Sequence, residues 1–392
     1  MFPRLQFVLL TSIFLPLLSL IAPTTQAQTA SYDLTTYAGL VAALDDTRLR
    51  NASQLRSHDE KVMSVVVRDV ALVRAKISWA FNEYKSINSG GESGSLEPLL
   101  KRVRVQLEDV VAQMAQTRRV LESIQLKNAR SVRIRPSEWA LDLDGDGEIA
   151  PWEEKFFAPP ARHARTEISN PLHTSRAAYL ANTSDAVIQI DQADVLWMLA
   201  YHNFIEGALE FLLSYEINLQ NGFVVKLTDI KRPAVKAVPR MEAGLRASRA
   251  SMRAALAESH DREEWLPNPR QKNTAFPLPM DAASFGTWQT VIDSMMPLMR
   301  SKTLLAVPEG VPTQGPVTLC PQGTGMDVGA FWRNPPRTLG MQEAIFLPYC
   351  KKPNAAQPVS PLTALLSQRI TQASRDGMGG EMTMLRYLYW IN

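Results

Sequence analysis

The chain has 392 residues, 45% of them hydrophobic and 21% charged, with a formal net charge of +3. These proportions exclude a disordered chain and a membrane-embedded one, and the charge is too small to suggest nucleic-acid binding. The length suits one large domain or two ordinary ones.

Residues 1–27 read MFPRLQFVLLTSIFLPLLSLIAPTTQA. One cation, Arg4, precedes an apolar run from Phe7 to Ala22, and Pro23 begins a polar stretch. Thr25 and Ala27 sit where a signal peptidase wants small residues, so the segment is expected to be a cleaved secretory signal peptide. An uncleaved anchor helix is the alternative. No later segment is apolar for long enough to span a bilayer, so the mature chain is expected to be exported, periplasmic and free of a transmembrane segment.

Two long amphipathic helices are expected first. Over His58–Asn88, Met63, Val66, Val67, Val70, Val73, Ile77 and Phe81 recur at helical spacing. After the break SGGESGS, Leu96–Asn128 repeats the pattern with Leu99, Val103, Leu107, Val110, Met114, Leu121 and Ile124. A short turn between them predicts an antiparallel hairpin. A helix over Asp191–Asn218, capped by Asp191 with Asp194 three residues on, is apolar nearly all round and should be central to the core. Further helices are expected over Val235–Ser259, Ala282–Arg300, Pro361–Ser374 and Glu381–Trp390.

The segment Val307–Pro358 is rich in Pro and Gly, with strand-like runs such as PVTL, and holds both cysteines, Cys320 and Cys350. An even count in an exported chain predicts a disulfide, with two buried thiols as the alternative. The fold class expected is mainly α: a helical bundle-like body with one EF-hand-type loop and an irregular, disulfide-closed C-terminal segment. The expected division is a signal peptide at 1–27, the body at 28–306 and the irregular segment with its closing helices at 307–392.

The strongest chemical signal is Asp142–Glu153, DLDGDGEIAPWE. Calcium takes about six to eight oxygen ligands from a loop able to curl round it. Asp142, Asp144 and Asp146 stand at the first, third and fifth positions, and Gly147 at the sixth allows the sharp turn. Glu148 offers its backbone carbonyl, Ala150 leaves the ninth position to water, and Glu153 supplies the closing bidentate carboxylate. The loop resembles that of the EF-hand family, and a calcium ion held by Asp142, Asp144, Asp146, Glu148 and Glu153 is what the resemblance implies. The flanks depart from the family. Leu141, Glu138 and Ser137 occupy the entering positions expected to be apolar, and Pro136 and Pro159 clip the helices on both sides. Such clipped loops are similar to those of exported bacterial calcium-binding proteins, and imply a structural site rather than a sensor. EF-hands pair through a β-bridge at the eighth position, Ile149. A degenerate partner with Asp185, Ile190 and Asp194 is the one candidate, with its strand AVIQI.

Other candidates are weaker. His202, Glu206 and Glu210 share a helix face and support an alternative reading, a periplasmic hydrolase with a structural calcium ion. Arg246, Arg249 and Arg253 form a basic stripe that suits an anionic lipid or polymer, though a solvated face explains it as well. Asp261–Gln271, DREEWLPNPRQ, has the composition of a binding loop. No H-E-x-x-H, G-x-S-x-G or phosphate-binding glycine loop occurs. The function expected is therefore binding or scaffolding in the cell envelope, toward an envelope protein or polymer, with no nucleic acid.

Overall fold

A computed structural model describes residues 32–88, 96–126, 131–159, 184–218, 224–259, 263–272, 281–306, 320–339 and 346–365. The expected leader, the PVTL run and the helix over Glu381–Trp390 lie outside these residues. The described part is mainly helical, with three small antiparallel sheets. Among the described residues no helix is long and apolar enough to cross a membrane.

The chain divides into two units. One comprises Met1–Gly94, Ala115–Leu199 and Ala250–Ala282; the other comprises Ser95–Met114, Ala200–Arg249 and Ala283–Asn392.

In the first unit, helix α1 (Tyr37–Asp45) is followed by α2 (His58–Asn88). The start of α2 is fixed by a reciprocal cap. Ser57 Oγ accepts from the Glu60 N–H at 3.1 Å, while Glu60 Oε2 accepts from the Ser57 and Arg56 N–H groups at 3.0 and 2.6 Å. Those two backbone donors hold the Glu60 carboxyl below its usual range. Val62, Met63, Val65, Val66, Val67, Val70 and Val73 are buried, a wider stripe than a two-helix seam needs. Helix α3 (Leu96–Glu122), whose residues up to Met114 belong to the second unit, ends six residues before the expected Asn128, where Ser123 turns back to bond the Val120 carbonyl. Lys61 reaches the Ser123 carbonyl and Arg68 reaches Gln116, so the start of α2 and the end of α3 run antiparallel. Strands β1 (Arg133–Ile134) and β2 (Ile188–Gln189) pair antiparallel, and β2 leads into α4 (Gln192–Leu212).

Helix α4 is shorter than its pattern suggested. The run Tyr215–Asn218, expected as its last turn, is strand β3, paired antiparallel with β4 (Val224–Leu227) in the second unit. The Ser214 carbonyl accepts from the Thr228 and Asp229 N–H groups, which stops the helical ladder there. Aromatic and β-branched residues in both strands then favour the sheet. Arg104 secures this end by donating to the carbonyls of Leu213 and Tyr215 at 2.7 and 2.8 Å.

The rest of the second unit includes a π-helical turn at Pro233–Ala237, α5 (Val238–Ala257, its last residues in the first unit) and α6 (Ala282–Met299). Beyond them lie β5 (Leu305–Ala306), β6 (Gly325–Met326), α7 (Val328–Arg333), β7 (Thr338–Leu339) and β8 (Cys350–Lys351). Phe211, Tyr215, Leu227 and Ala237 form a core cluster against Phe331 and Trp332. Cys320 and Cys350 are bridged, their Cα atoms 5.6 Å apart, which decides between the disulfide and the two thiols.

Asp327 ties this segment together. Its carboxylate, 1% exposed, accepts from the Lys351 ammonium at 2.7 Å, from Gln357 and the Ala330 N–H at 3.0 and 2.9 Å, and from Ser301. Burial alone would raise its pKa, but the bonds from Lys351, Ser301, Ala330 and Gln357 outweigh it and bring the value to about 2. A depressed carboxyl pKa stabilises the fold above the unfolded value and is lost as pH falls through the folded one. Asp327→Asn should therefore cost about 2 kcal/mol at neutral pH and remove part of the acid-induced loss between about pH 4 and 2, read from denaturant midpoints at several pH values. Reducing the Cys320–Cys350 bridge, which spans a separation of 30 residues, should lower stability by about 3 to 4 kcal/mol in the same assay.

Candidate metal site

The acidic loop is set up by an alternation just before it. A single 3-10 turn at Pro136–Glu138 gives way to a non-helical stretch in which Trp139, Leu141 and Leu143 are buried. Alternate burial turns Asp142 and Asp144 toward the other side. Trp139 is pinned by its Nε1–H, which donates to the Leu34 carbonyl at 2.9 Å.

Within the loop each aspartate bends the backbone back on itself. Asp142 accepts from the Gly145 and Gly147 N–H groups at 2.7 and 3.1 Å, Asp144 from Asp146 N–H at 3.1 Å, and Asp146 from Glu148 N–H at 2.9 Å. Gly145 and Gly147 have φ of 76° and 91°, a left-handed backbone that a Cβ disfavours. The result brings carboxylate oxygens of Asp142, Asp144 and Asp146 within 4.8 Å of one another. Among the described residues no Lys, Arg or His is paired with any of the three. Arg74 of α2 donates to the Asp142 backbone carbonyl at 3.1 Å instead.

Glu153 is not in that trio. It is fully buried, and its carboxylate accepts from the Leu143, Asp144 and Ala150 N–H groups at 2.6, 3.2 and 2.6 Å. It therefore laces the two ends of the loop together. Glu148 is exposed, leaving its carbonyl as the contribution the sequence assigns to it. The exit segment forms turns with mixed bonding rather than an α-helix: Glu154 N–H bonds the Ala150 carbonyl, and Ala158 N–H bonds Lys155. Its rings anchor it. Trp152 stacks on Phe81 of α2 at 5.4 Å, Phe156 meets Trp152 and Phe157, and Phe157 meets Trp139.

The expected partner loop does not pair with this one. Ile149 is 43% exposed, and Ile188–Gln189 pairs with Arg133–Ile134. Asp185 is engaged by Arg135 and Ser137, whose hydrogen bonds lower its pKa. Asp191 and Asp194 are helix caps. Asp191 accepts from the Ala193 and Asp194 N–H groups at 2.8 and 3.2 Å, and Asp194 Oδ2 from Asp191 N–H at 3.3 Å.

His202, Glu206 and Glu210 are all buried in α4, but they do not make one metal-competent group among the described residues. Glu210 is bound to Arg232, with Lys236 at 3.8 Å. Arg249 pairs with Asp293 at 2.6 Å and Arg246 with Glu242 at 3.5 Å, so two residues of the basic stripe already have acidic partners; Arg253 is exposed. The stretch read as a binding loop is core in its middle. Glu264, Trp265, Leu266 and Asn268 are at most 2% exposed, and Trp265 packs on Trp197. Asn268 donates to the carbonyls of Ala255 and Glu258, holding the stretch against the end of α5.

That packing creates an acidic group the sequence did not disclose. Oxygens of Asp191, Glu258 and Glu264 lie within 4.8 Å of one another. Burial, then the charges of Asp191, Glu264 and Glu258, push the Asp194 carboxyl well above its usual range. Burial and Asp191 likewise raise Glu258, against a hydrogen bond from Gln271. The residues are more than sixty positions apart in places, so no local motif could reveal them. The only local hint was two aspartates in one apolar helix cap.

No family model, no curated protein and no solved structure matches the chain.

Nothing lies within 4 Å of a Cβ added at Gly147, so its requirement for glycine is conformational alone. Gly147→Ala should destabilise the metal-free chain by about 1 to 2 kcal/mol in a denaturant titration, and Gly147→Asn by less.

Proposed function

We propose that the chain binds one calcium ion in the loop Asp142–Glu153, and that the ion serves as a fixed clamp in an exported protein with a binding or scaffolding role in the cell envelope. One observation carries the reading: three aspartate carboxylates converge within 4.8 Å without a cationic partner among the described residues. Such a group repels itself, and a hard divalent ion relieves the repulsion with oxygen ligands alone. Asp142, Asp144 and Asp146 would hold the ion through their carboxylates and Glu148 through its carbonyl. Glu153 would close the site by exchanging backbone N–H bonds for the ion.

A clamp fits the surroundings better than a switch does. Switching needs two long helices that reorient, whereas this loop is entered by one 3-10 turn and left through irregular turns. It is fastened to the middle of α2 by Arg74 and Phe81. The disulfide supports an oxidising compartment, where calcium is plentiful and an affinity of about 0.1 to 1 mM suffices.

Asp144→Asn and Asp146→Asn test this cleanly, because an amide oxygen still accepts the backbone N–H while the charge is gone. In chelator both variants should melt at or above the parent temperature. With calcium at about a hundred times the loop's dissociation constant, the parent should gain about 2.7 kcal/mol more than the variants do. Equal melting of the parent with calcium and with chelator would refute the proposal.

A further inference from the structure

The first unit contains a second convergence of carboxylates, on elements separate from the loop. Asp191 and Asp194 sit at the start of α4, Glu258 just past the end of α5, and Glu264 in the buried stretch beyond it. Asp191, Glu258 and Glu264 bring oxygens within 4.8 Å of one another, and this group is buried where the loop trio is not: Asp191 is 5% exposed and Glu264 1%. That spacing has a chemical meaning. Two oxygens on opposite sides of a calcium ion at about 2.4 Å stand about 4.8 Å apart, so oxygens no farther apart than this can reach one ion together.

An independent feature points the same way. Asp194 lies outside the trio and is 3% exposed. Its Oδ2 accepts from the Asp191 N–H, but Oδ1 is buried without any hydrogen-bond partner. Because Oδ2 bonds the Asp191 N–H, the orphaned oxygen of the same carboxyl lies next to the first member of the trio, and Asp191, Glu264 and Glu258 are the charges that carboxyl feels. Glu258 Oε2 is likewise buried without a partner. Neither Asp194 nor Glu258 has an ion pair with Lys, Arg or His among the described residues. Buried carboxylates are ordinarily paired or bound to metal, and an unanswered buried oxygen is rare in a folded protein.

We propose that Asp191, Glu258 and Glu264 form a second cation site, with Asp194 adding charge from beside it, and that it takes one hard divalent ion of the calcium type. The donors are all oxygens, so soft or imidazole-seeking metals such as zinc and copper are disfavoured. Glu258 is only half-buried and gives the ion its way in. Gln271 hydrogen-bonds the Glu258 carboxyl, and Asn268 donates to the Glu258 carbonyl. An ion here would tie the start of α4 to the end of α5, a structural part different from the one the loop serves. The proposal is independent of the loop: either can hold if the other fails.

The test uses the full chain with the loop disabled by Asp144→Asn and Asp146→Asn, titrated with calcium chloride alone and with terbium, whose emission the adjacent Trp265 would sensitise. The expected result is one ion still bound per chain. Adding Glu258→Gln and Glu264→Gln should weaken that remaining binding at least tenfold, while Glu258→Gln alone, at the half-buried position, should weaken it and leave the fold intact. Terbium soaked into crystals of the parent protein gives a readout that needs no variant: an anomalous peak among Asp191, Glu258 and Glu264 is expected. A loop-disabled chain that binds no ion, or parent crystals with no peak at the cluster, would overturn the proposal and leave protons shared between the carboxylates as the way the cluster is neutralised.

Discussion

A carboxylate removed from water has to be answered by something, and in each unit much of the local architecture is the form that answer takes. Asp327 is answered by an ammonium and several neutral donors, and the segment round the disulfide is gathered about it. Glu210 is answered by Arg232 and, more distantly, Lys236. Glu153 is answered by three backbone N–H groups, which is why it can sit fully buried and fasten both ends of a loop. Among the described residues the three loop aspartates are answered only by backbone N–H groups, and in the second acidic group Asp194 Oδ1 and Glu258 Oε2 are left unanswered. Backbone amides carry partial charge, and they do not offset the mutual repulsion of several carboxylates as a cation does.

This ordering explains why the two acidic groups differ in chemistry. The loop trio is partly open to water, so its repulsion is screened and an ion is a modest local gain. The cluster at α4 and α5 is shielded, so each charge there has to be protonated or matched. Asp191 and Asp194 also serve as caps. Each commits one oxygen to the positive start of a helix, which favours an anion there, and keeps the other oxygen for different use.

How far the sequence disclosed this depended on the range of the interactions involved. The bounds of α2 were readable because its apolar residues repeat every three or four positions and its cap is local. The loop was readable because Asp142, Asp144, Asp146 and Gly147 act through bonds to residues two to five positions away. The end of α4 was not, since the pattern through Tyr215 is still apolar and only pairing with Val224–Leu227 turns it into strand. Nor was the burial of Glu264 and Trp265: a charged, proline-rich stretch looks solvent-facing until Trp197 and the end of α5 are known to lie against it. The pairing of Ile188–Gln189 with β1 rather than with Ile149 was decided by register over more than fifty residues, which no local spacing encodes.

The seating of the loop on α2 has a consequence for how such a loop can be inherited or borrowed. Arg74 holds its first carbonyl, Ser78 stands 3.1 Å from the position a Cβ at Gly145 would take, and Phe81 stacks on the ring of Trp152. These three residues repeat at helical spacing and form one ridge, so the twelve loop residues and a two-turn length of a distant helix behave as a single part. Transplanted alone, the loop would carry its ligands without its bed. Recombination that keeps the site has to move both pieces together, and drift along that ridge of α2 alters the site as surely as drift within the loop.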